Sequence, residues 1–274
     1  YFSELLAGIG NEAARNKYDL LVSTCAPDTP EEDDAYRHKV EGRLVDGLLV
    51  VRTRVKDRRI QYLTGVGFPF VSFGRSELDL EFPYVDEDGF KGMDLVSQHL
   101  IDRGYRRIAC IAPPPGLMFS TYRCAGIQAA LHRNGLRLEE RYCIHSDLTQ
   151  HGGFLAMSKL LELSPLPTAV IACNDLMALG AISAAQSRGL VVGHDVAVTG
   201  FDDIPLSEHS HPPLTTVRQP IYAIGRQICQ MLIHLIQGKP LDERHVILQP
   251  ELIVRESSEP EQGRRHLVSN IERR

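Results

Sequence analysis

Residues 169–190 read AVIACNDLMALGAISAAQSRGL. Ala169 to Ala172 form an uninterrupted apolar run suited to a buried strand, and Met177, Leu179, Ile182 and Ala185 recur with the spacing of a helix packed on it. Between them stands a polar step, Asn174-Asp175. Either side chain can accept hydrogen bonds from the first free amides of the helix. The same place is also where an open parallel sheet meets a ligand, because its strand ends face a crevice. Both readings stand on this stretch alone.

The same strand-to-helix rhythm extends in both directions. Upstream, an amphipathic opening helix carries Leu5, Leu6, Ile9 and Ala13 on one side. YDLLVSTC (18–25) then reads as a strand, 31–43 as a helix, VDGLLVV (45–51) as a strand, 58–65 as a short helix and PFVSFG (69–74) as a strand. A longer helix stops at Gly104. A second series follows: strand RIACIA, a helix stopped by Gly135, strand RYCIHSD, helix GGFLAMSKLLEL, the opening stretch, and strand VAVTGFDD. A proline-rich loop, HPPLTTVRQP, leads to a helix over 221–237 and then to VILQPELIVRES. Apolar strands separated by helices define parallel sheets covered on both faces, so the predicted fold is α/β with two doubly wound units.

The strands end in small or polar residues: Gly74 and Arg75, the 112–116 loop, Ser146 and Asp147, Asn174 and Asp175, Asp202 and Asp203. Two such polar rims facing one cleft make a ligand-binding layout. Catalytic alternatives fail on composition of motif. Asp202 and Asp203 are adjacent in a strand and point to opposite faces, which argues against a shared-proton dyad. No HExxH, GxxxxGK[ST] or GxSxG occurs, and the His209/His211 pair lacks the further ligands of a metal site. The sequence therefore predicts no enzyme, no metal and no cofactor.

With 43% hydrophobic and 24% charged residues, the 274-residue chain has the composition of a globular protein. A net charge of -5 supplies no basic field for a phosphate backbone. Six cysteines without a CxxC pair read as reduced thiols, favouring the cytoplasm, and no run is long enough for a membrane span. The tail after Ser258 is polar enough to be partly disordered.

The 173–220 segment, CNDLMALGAISAAQSRGLVVGHDVAVTGFDDIPLSEHSHPPLTTVRQP, resembles the effector-binding cores of the lactose and galactose repressor (LacI/GalR) family in its Asn-Asp helix start, GFDD strand end and LTTVRQP linker. The resemblance runs back through HLIDRGYRRIACIAPP and YRCAGIQAAL to VDGLLVV and YFSELLAGI, and on to about Glu256. It implies a periplasmic binding protein-like type I fold whose two subdomains, 1–105 with 219–244 and 106–218 with 245–258, are joined by three crossovers and followed by a tail at 259–274. It also implies a DNA-binding helix-turn-helix head and a first strand ahead of Tyr1, absent from this chain.

By the same resemblance, Asn174 reaches the effector while Asp175 caps the helix. Arg123 is the effector-binding arginine, whose fork of donors grips hydroxyls or a carbonyl. Asp202 is the carboxylate that accepts from ligand hydroxyls, and Gln219 lies at the last crossover. Asp88 lies at the subdomain boundary, where Gly89 replaces the family's asparagine. Tyr1 and Phe2 match an aromatic pair that covers the ligand's apolar face. Leu148 stands where relatives carry a stacking aromatic; in this tryptophan-free chain the resemblance implies either weaker stacking or stacking by Phe119 or Phe154.

The function implied is the effector-binding and dimerising core of a bacterial transcriptional regulator that takes a small polar ligand such as a sugar. Homodimerisation is expected along such elements as the first helix face Glu4, Gly8, Glu12 and Arg15. DNA would be contacted only through the head, and no membrane is involved. The alternative from another class is a periplasmic sugar-binding protein of a transporter, which shares the bilobed fold.

Overall fold

Short apolar strands alternate with helices in the computed structural model, which describes residues 1–259. In chain order the elements are α1 (Phe2–Arg15), α2 (Pro30–Glu41), β1 (Leu48–Val50), α3 (Arg58–Gly65), β2 (Phe70–Phe73), β3 (Tyr84–Glu87), α4 (Gly89–Asp102), β4 (Ile108–Ala112) and α5 (Met118–Arg133). They continue with β5 (Cys143–His145), α6 (Gln150–Leu160), β6 (Ala169–Ala172), α7 (Asp175–Ser187), β7 (Ala197–Thr199), α8 (Pro205–His209), β8 (Thr216–Arg218), α9 (Ile221–Ile236), β9 (His245–Leu248) and β10 (Glu251–Ile253). Helix starts follow local chemistry: Thr29, Asp57, Thr149 and Asn174 each accept a bond from an amide two or three residues on. No helix among the described residues is long and apolar enough to cross a membrane.

Two compact units result. The first comprises 1–88, 116–121 and 220–249, and the chain leaves or re-enters it at Asp88–Gly89, Gln219–Pro220 and Gln249–Pro250 as well as around the short 116–121 excursion. Its parallel sheet has the order β1-β2-β3-β9. Helices α1 and α9 cross closely in this unit: a Cβ on Gly8 would overlap the Tyr222 carbonyl, and one on Gly225 the Leu5 carbonyl. Leu5, Ile9 and Ala13 meet Ile221, Ile224 and Ile228 in one core.

The second unit carries the parallel sheet β5-β4-β6-β7 and a separate antiparallel pair, β8 with β10. All of β4 and β6 is buried, which explains their continuous apolar runs. Helices α6 and α7 pack so tightly that Gly153 and Gly180 lie against the backbone of the facing helix at Met177 and Gln150.

Several sequence expectations are corrected. Segment 18–25 is not a strand: a strand exists through its ladder bonds, and here Leu20, Leu21 and Val22 are exposed, without a strand partner among the described residues. Helix α4, expected in the first subdomain, buries Met93, Val96, Leu100 and Ile101 in the second unit's core, so the first boundary lies at 88/89 and not at 105. Conversely, β9 pairs with β3 in the first unit although 245–258 was assigned to the second. The α1 face proposed for dimer contact is partly consumed within the chain, since Gly8 and Glu12 are buried and Glu12 accepts from Arg226 Nε at 3.4 Å. Strands β3 and β8 were not foreseen. Of the tail expected at 259–274, all but Glu259 lies outside the described residues.

Two measurements probe this packing. Gly180→Ala drives a methyl into the Gln150 carbonyl, and overpacking of about 1–3 kcal/mol should lower Tm by roughly 2–10 °C in a calorimetric scan. In α4, burial and the Arg103 charge pull His99 down to about 4, while its Nε2 lies 2.8 Å from the Ser258 hydroxyl. The folded state therefore favours the neutral ring. Its stabilisation is full above the unfolded value near 6.5 and is lost as pH falls towards 4. Urea unfolding at pH 7 and pH 4.5 should show a smaller acid loss for His99→Gln than for the parent.

Candidate functional site

The joint after β6 is built by an amide and a carboxylate side chain with separate duties. Asn174, extended at φ -153° and ψ 164°, accepts from the Met177 amide at 2.9 Å and so caps α7. Its Nδ2 donates to the Leu148 carbonyl at 3.0 Å. Asp175 does not cap the helix, as the sequence suggested. It is fully buried and accepts from the Ile204 amide at 2.9 Å, from the Ser207 hydroxyl at 2.6 Å and from the Thr216 hydroxyl. Burial raises its pKa, against the pull of those three donors. Its side chain thereby joins the start of α7 to α8 and β8.

Arg123 enters from α5 and is buried. Its NH1 donates to the Cys173 carbonyl at 2.7 Å, and its guanidinium carbon stands 3.7 Å from the centre of the Phe201 ring. That stacking is a cation–π contact in a desolvated setting. NH2 lies 3.7 Å from Asp202 Oδ1, and the same oxygen accepts from Gln219 Nε2 at 2.6 Å. Gln219 Oε1 is buried and has no hydrogen-bond partner among the described residues. Thus an arginine, a carboxylate and a glutamine amide converge in the second unit.

Backbone conformation sets this cluster. Asp202 adopts φ +120° and Asp203 φ +54°, values that L residues rarely hold. The Asp202 amide donates to Val217 at 2.8 Å, tying the turn to β8. Asp203 faces away from the Arg123 group and pairs with Arg218 Nε at 2.7 Å and Arg255 NH1 at 2.8 Å. The two neighbouring aspartates therefore share no proton.

The other candidates are placed as follows. Leu148, at φ +69°, contributes its carbonyl to Asn174 and packs its side chain against the second core. Phe154 packs there too. In the first unit, Tyr1 is half-buried against the α1–α9 core, Phe2 is 46% exposed, Phe119 is half-buried, and the Asp88 amide donates to the Leu248 carbonyl at 3.0 Å. The sequence reading expects Arg123, Asn174 and Asp202 to converge on one ligand; the structure brings Arg123 and Asp202 together with Gln219, while Asn174 bonds the Met177 amide and the Leu148 carbonyl. That reading missed Phe201 as the surface under the arginine and the Cys173 carbonyl as its anchor. The phenylalanine of GFDD was the available signal, an apolar residue at an otherwise polar strand end.

Parallel sheets with polar strand ends define a periplasmic binding protein-like protein, and the family model for a periplasmic binding protein-like domain matches residues 97–258. The repressor CytR of Escherichia coli is 34% identical over 259 residues, covering 94% of this chain and 75% of that one. A regulatory protein of LacI family from Chloroflexus aggregans superposes with a TM-score of 0.85 at 37% identity, covering 94% of this chain and 92% of that chain. The transcriptional regulator CelR, solved as a cellobiose complex, gives a TM-score of 0.86 at 32% identity over 93% of this chain and 78% of its own. The chain belongs to the LacI family of transcriptional regulators and is its effector-binding core.

Asp175 offers a direct test of the joint. Asp175→Ala leaves the Ser207 and Thr216 hydroxyls and the Ile204 amide without their acceptor, each buried loss being about 1–3 kcal/mol. Urea titration should show a fall in unfolding free energy of roughly 3 kcal/mol or more, with Asp175→Asn milder because its carbonyl oxygen still accepts.

Proposed function

We propose that this core binds a small saccharide at Arg123, Asp202 and Gln219 and that the bound sugar sets the DNA affinity of a regulator. The observation that carries the reading is the buried set of complementary groups on one edge of the second unit. Arg123 donates and Asp202 accepts, while Gln219 keeps a buried oxygen with no partner among the described residues. Sugar hydroxyls are donors and acceptors at once, so a vicinal pair can satisfy both sides of this set. The Gln219 oxygen calls for a ligand group that donates a hydrogen. Among the relatives, the cellobiose complex of CelR supports a sugar over other polar ligands.

Asn174 and Leu148 belong to the proposal as neighbours of the cluster. Tyr1, Phe2, Asp88 and Phe119 belong to it as family positions in the first unit. A binding role and not a catalytic one fits relatives that are named regulators and repressors, and the same names favour a regulator over a transporter component. A cytoplasmic homodimer, with DNA read by a helix-turn-helix segment and no membrane contact, completes the reading. Regulation requires only that the sugar bind one conformational state more tightly than the other.

Arg123 and Asn174 also hold the fold, so the informative variants are conservative. Calorimetry against cellobiose, ribose and a panel of mono- and disaccharides should find one ligand. Asp202→Asn should then weaken it tenfold or more, because a hydroxyl loses its charged acceptor, while circular dichroism and Tm stay near the parent. Unchanged affinity in folded Asp202→Asn and Gln219→Leu would remove the site.

A further inference from the structure

Four of the six cysteines gather in the second unit. Cys110 lies in the central strand β4, Cys143 opposite it in the edge strand β5, Cys173 just past β6, and Cys124 on α5. Cys110 Sγ is 3.9 Å from Cys173 Sγ, a van der Waals contact between two fully buried thiols. Cys110 and Cys143 are register partners across the parallel ladder. Neighbouring strands stand about 4.8 Å apart, inside the roughly 4.4–6.8 Å range of Cα separations that a disulfide bridges. Strand β5 is the sheet edge, and Cys143 is half-buried where Cys110 is fully enclosed. One thiol of the pair is thus open to small solutes and the other is not.

We propose that Cys143 and Cys110 form a redox-active dithiol that a hydroperoxide oxidises to an intramolecular disulfide. The asymmetry of the pair supplies the order of events. The neighbouring Cys110 thiol and the nearby charge of His145 outweigh burial and bring Cys143 down to about 7. His145 Nδ1 is fixed by the Pro113 carbonyl at 2.7 Å, which holds the ring at the end of the same strand. Cys110, whose single S–H lies between the Cys143 and Cys173 sulfurs and which is fully buried, is pushed well above the ordinary thiol range. Cys173 is held well below the ordinary thiol range by bonds from Cys110 and Cys124, but it is fully enclosed; Cys143 is the lowered thiol that a solute reaches, and so it reacts first.

Its sulfur attacks one peroxide oxygen, the O–O bond breaks, and the leaving hydroxide takes up a proton as water. Cys143 is then a sulfenic acid. Cys110 sulfur attacks Cys143 sulfur, the S–S bond forms as S–OH breaks, and the Cys110 proton leaves with that hydroxide as a second water. Two thiols and one hydroperoxide give one disulfide, one water and the corresponding water or alcohol. A dithiol reductant reverses it. The proposal is independent of whether Arg123 holds a sugar, because its readout is the thiols themselves.

The test uses the reduced full chain carrying Cys25→Ser, which removes the exposed competitor thiol. After hydrogen peroxide, alkylation under denaturing conditions and proteolysis without reductant, mass spectrometry should find a peptide pair joining Cys110 and Cys143. Two thiols per chain should be lost and regained with dithiothreitol. In Cys110→Ala the bridge should be absent, and Cys143 should instead react with dimedone, the trap for sulfenic acid. Full alkylation of Cys110 and Cys143 after peroxide overturns the proposal. A Cys110–Cys173 bridge in the parent, or Cys110 oxidation undiminished in Cys143→Ser, overturns it as well.

Discussion

One buried carboxylate, Asp175, fixes where the second unit's strand ends lie. A carboxylate removed from water loses several kcal/mol of hydration, and Asp175 is tolerated because three donors from two other elements replace that water. It occupies the first residue of α7, where the helix dipole also favours negative charge. The donors are thereby brought to fixed positions around one atom group. Ile204 and Ser207 draw in the loop and helix after β7, and Thr216 draws in β8. Asp202 and Asp203 lie in the first of those segments and Gln219 directly follows β8, so their geometry depends on this carboxylate.

Backbone strain then finishes the cluster. Residues in sparsely populated φ/ψ regions cost on the order of 1–3 kcal/mol each, and two such residues follow one another at Asp202 and Asp203. The turn persists because both are held: the first by its amide to Val217 and its carboxylate to Gln219, the second by Arg218 and Arg255. The consequence is that one carboxylate is directed at Arg123 and the other is neutralised elsewhere. On the proposed reading, a ligand at Arg123 would meet a single oriented acceptor and no second repelling charge from Asp203.

The parts of the fold legible in sequence were those with strong local signals. Helix α3 spans the eight residues foreseen, and α9 came within a residue, because caps, glycine stops and periodicity mark such ends. Strand β8 was hidden because proline and threonine chemistry made HPPLTTVRQP read as loop, and only its ladder to β10 makes it a strand. The strand expected at 18–25 failed for the converse reason, since its pattern was right and its ladder is not among the described residues. At the site, residue types were readable but partners were not. Asn174's cap bond to Met177 is local, but its second bond, to the Leu148 carbonyl 26 positions back, and the Asp175 partners 29 to 41 positions on are not encoded by local spacing.

The first unit holds a charged cluster that is denser still, and its contrast with the Arg123 group separates structure from binding. Arg59 makes a bidentate pair with Asp57, and Arg54 a close pair with Glu32 and with Asp28. Burial pushes Asp57 and Glu32 up, yet the arginine bonds outweigh it and both carboxyls end below their ordinary values. The remaining donor capacity of Arg59 goes to the Val51 and Arg52 carbonyls. Charges so matched have little to offer a solute, because a ligand would have to displace a partner already better placed. In the second unit, by contrast, a buried glutamine oxygen beside Asp202 has no partner among the described residues. Buried polar groups left short of ideal contact cost stability in the free protein, and a ligand that supplies the contact recovers that cost as affinity. This contrast supports the proposal of the Arg123 cluster, and not the more heavily charged one, as the recognition site.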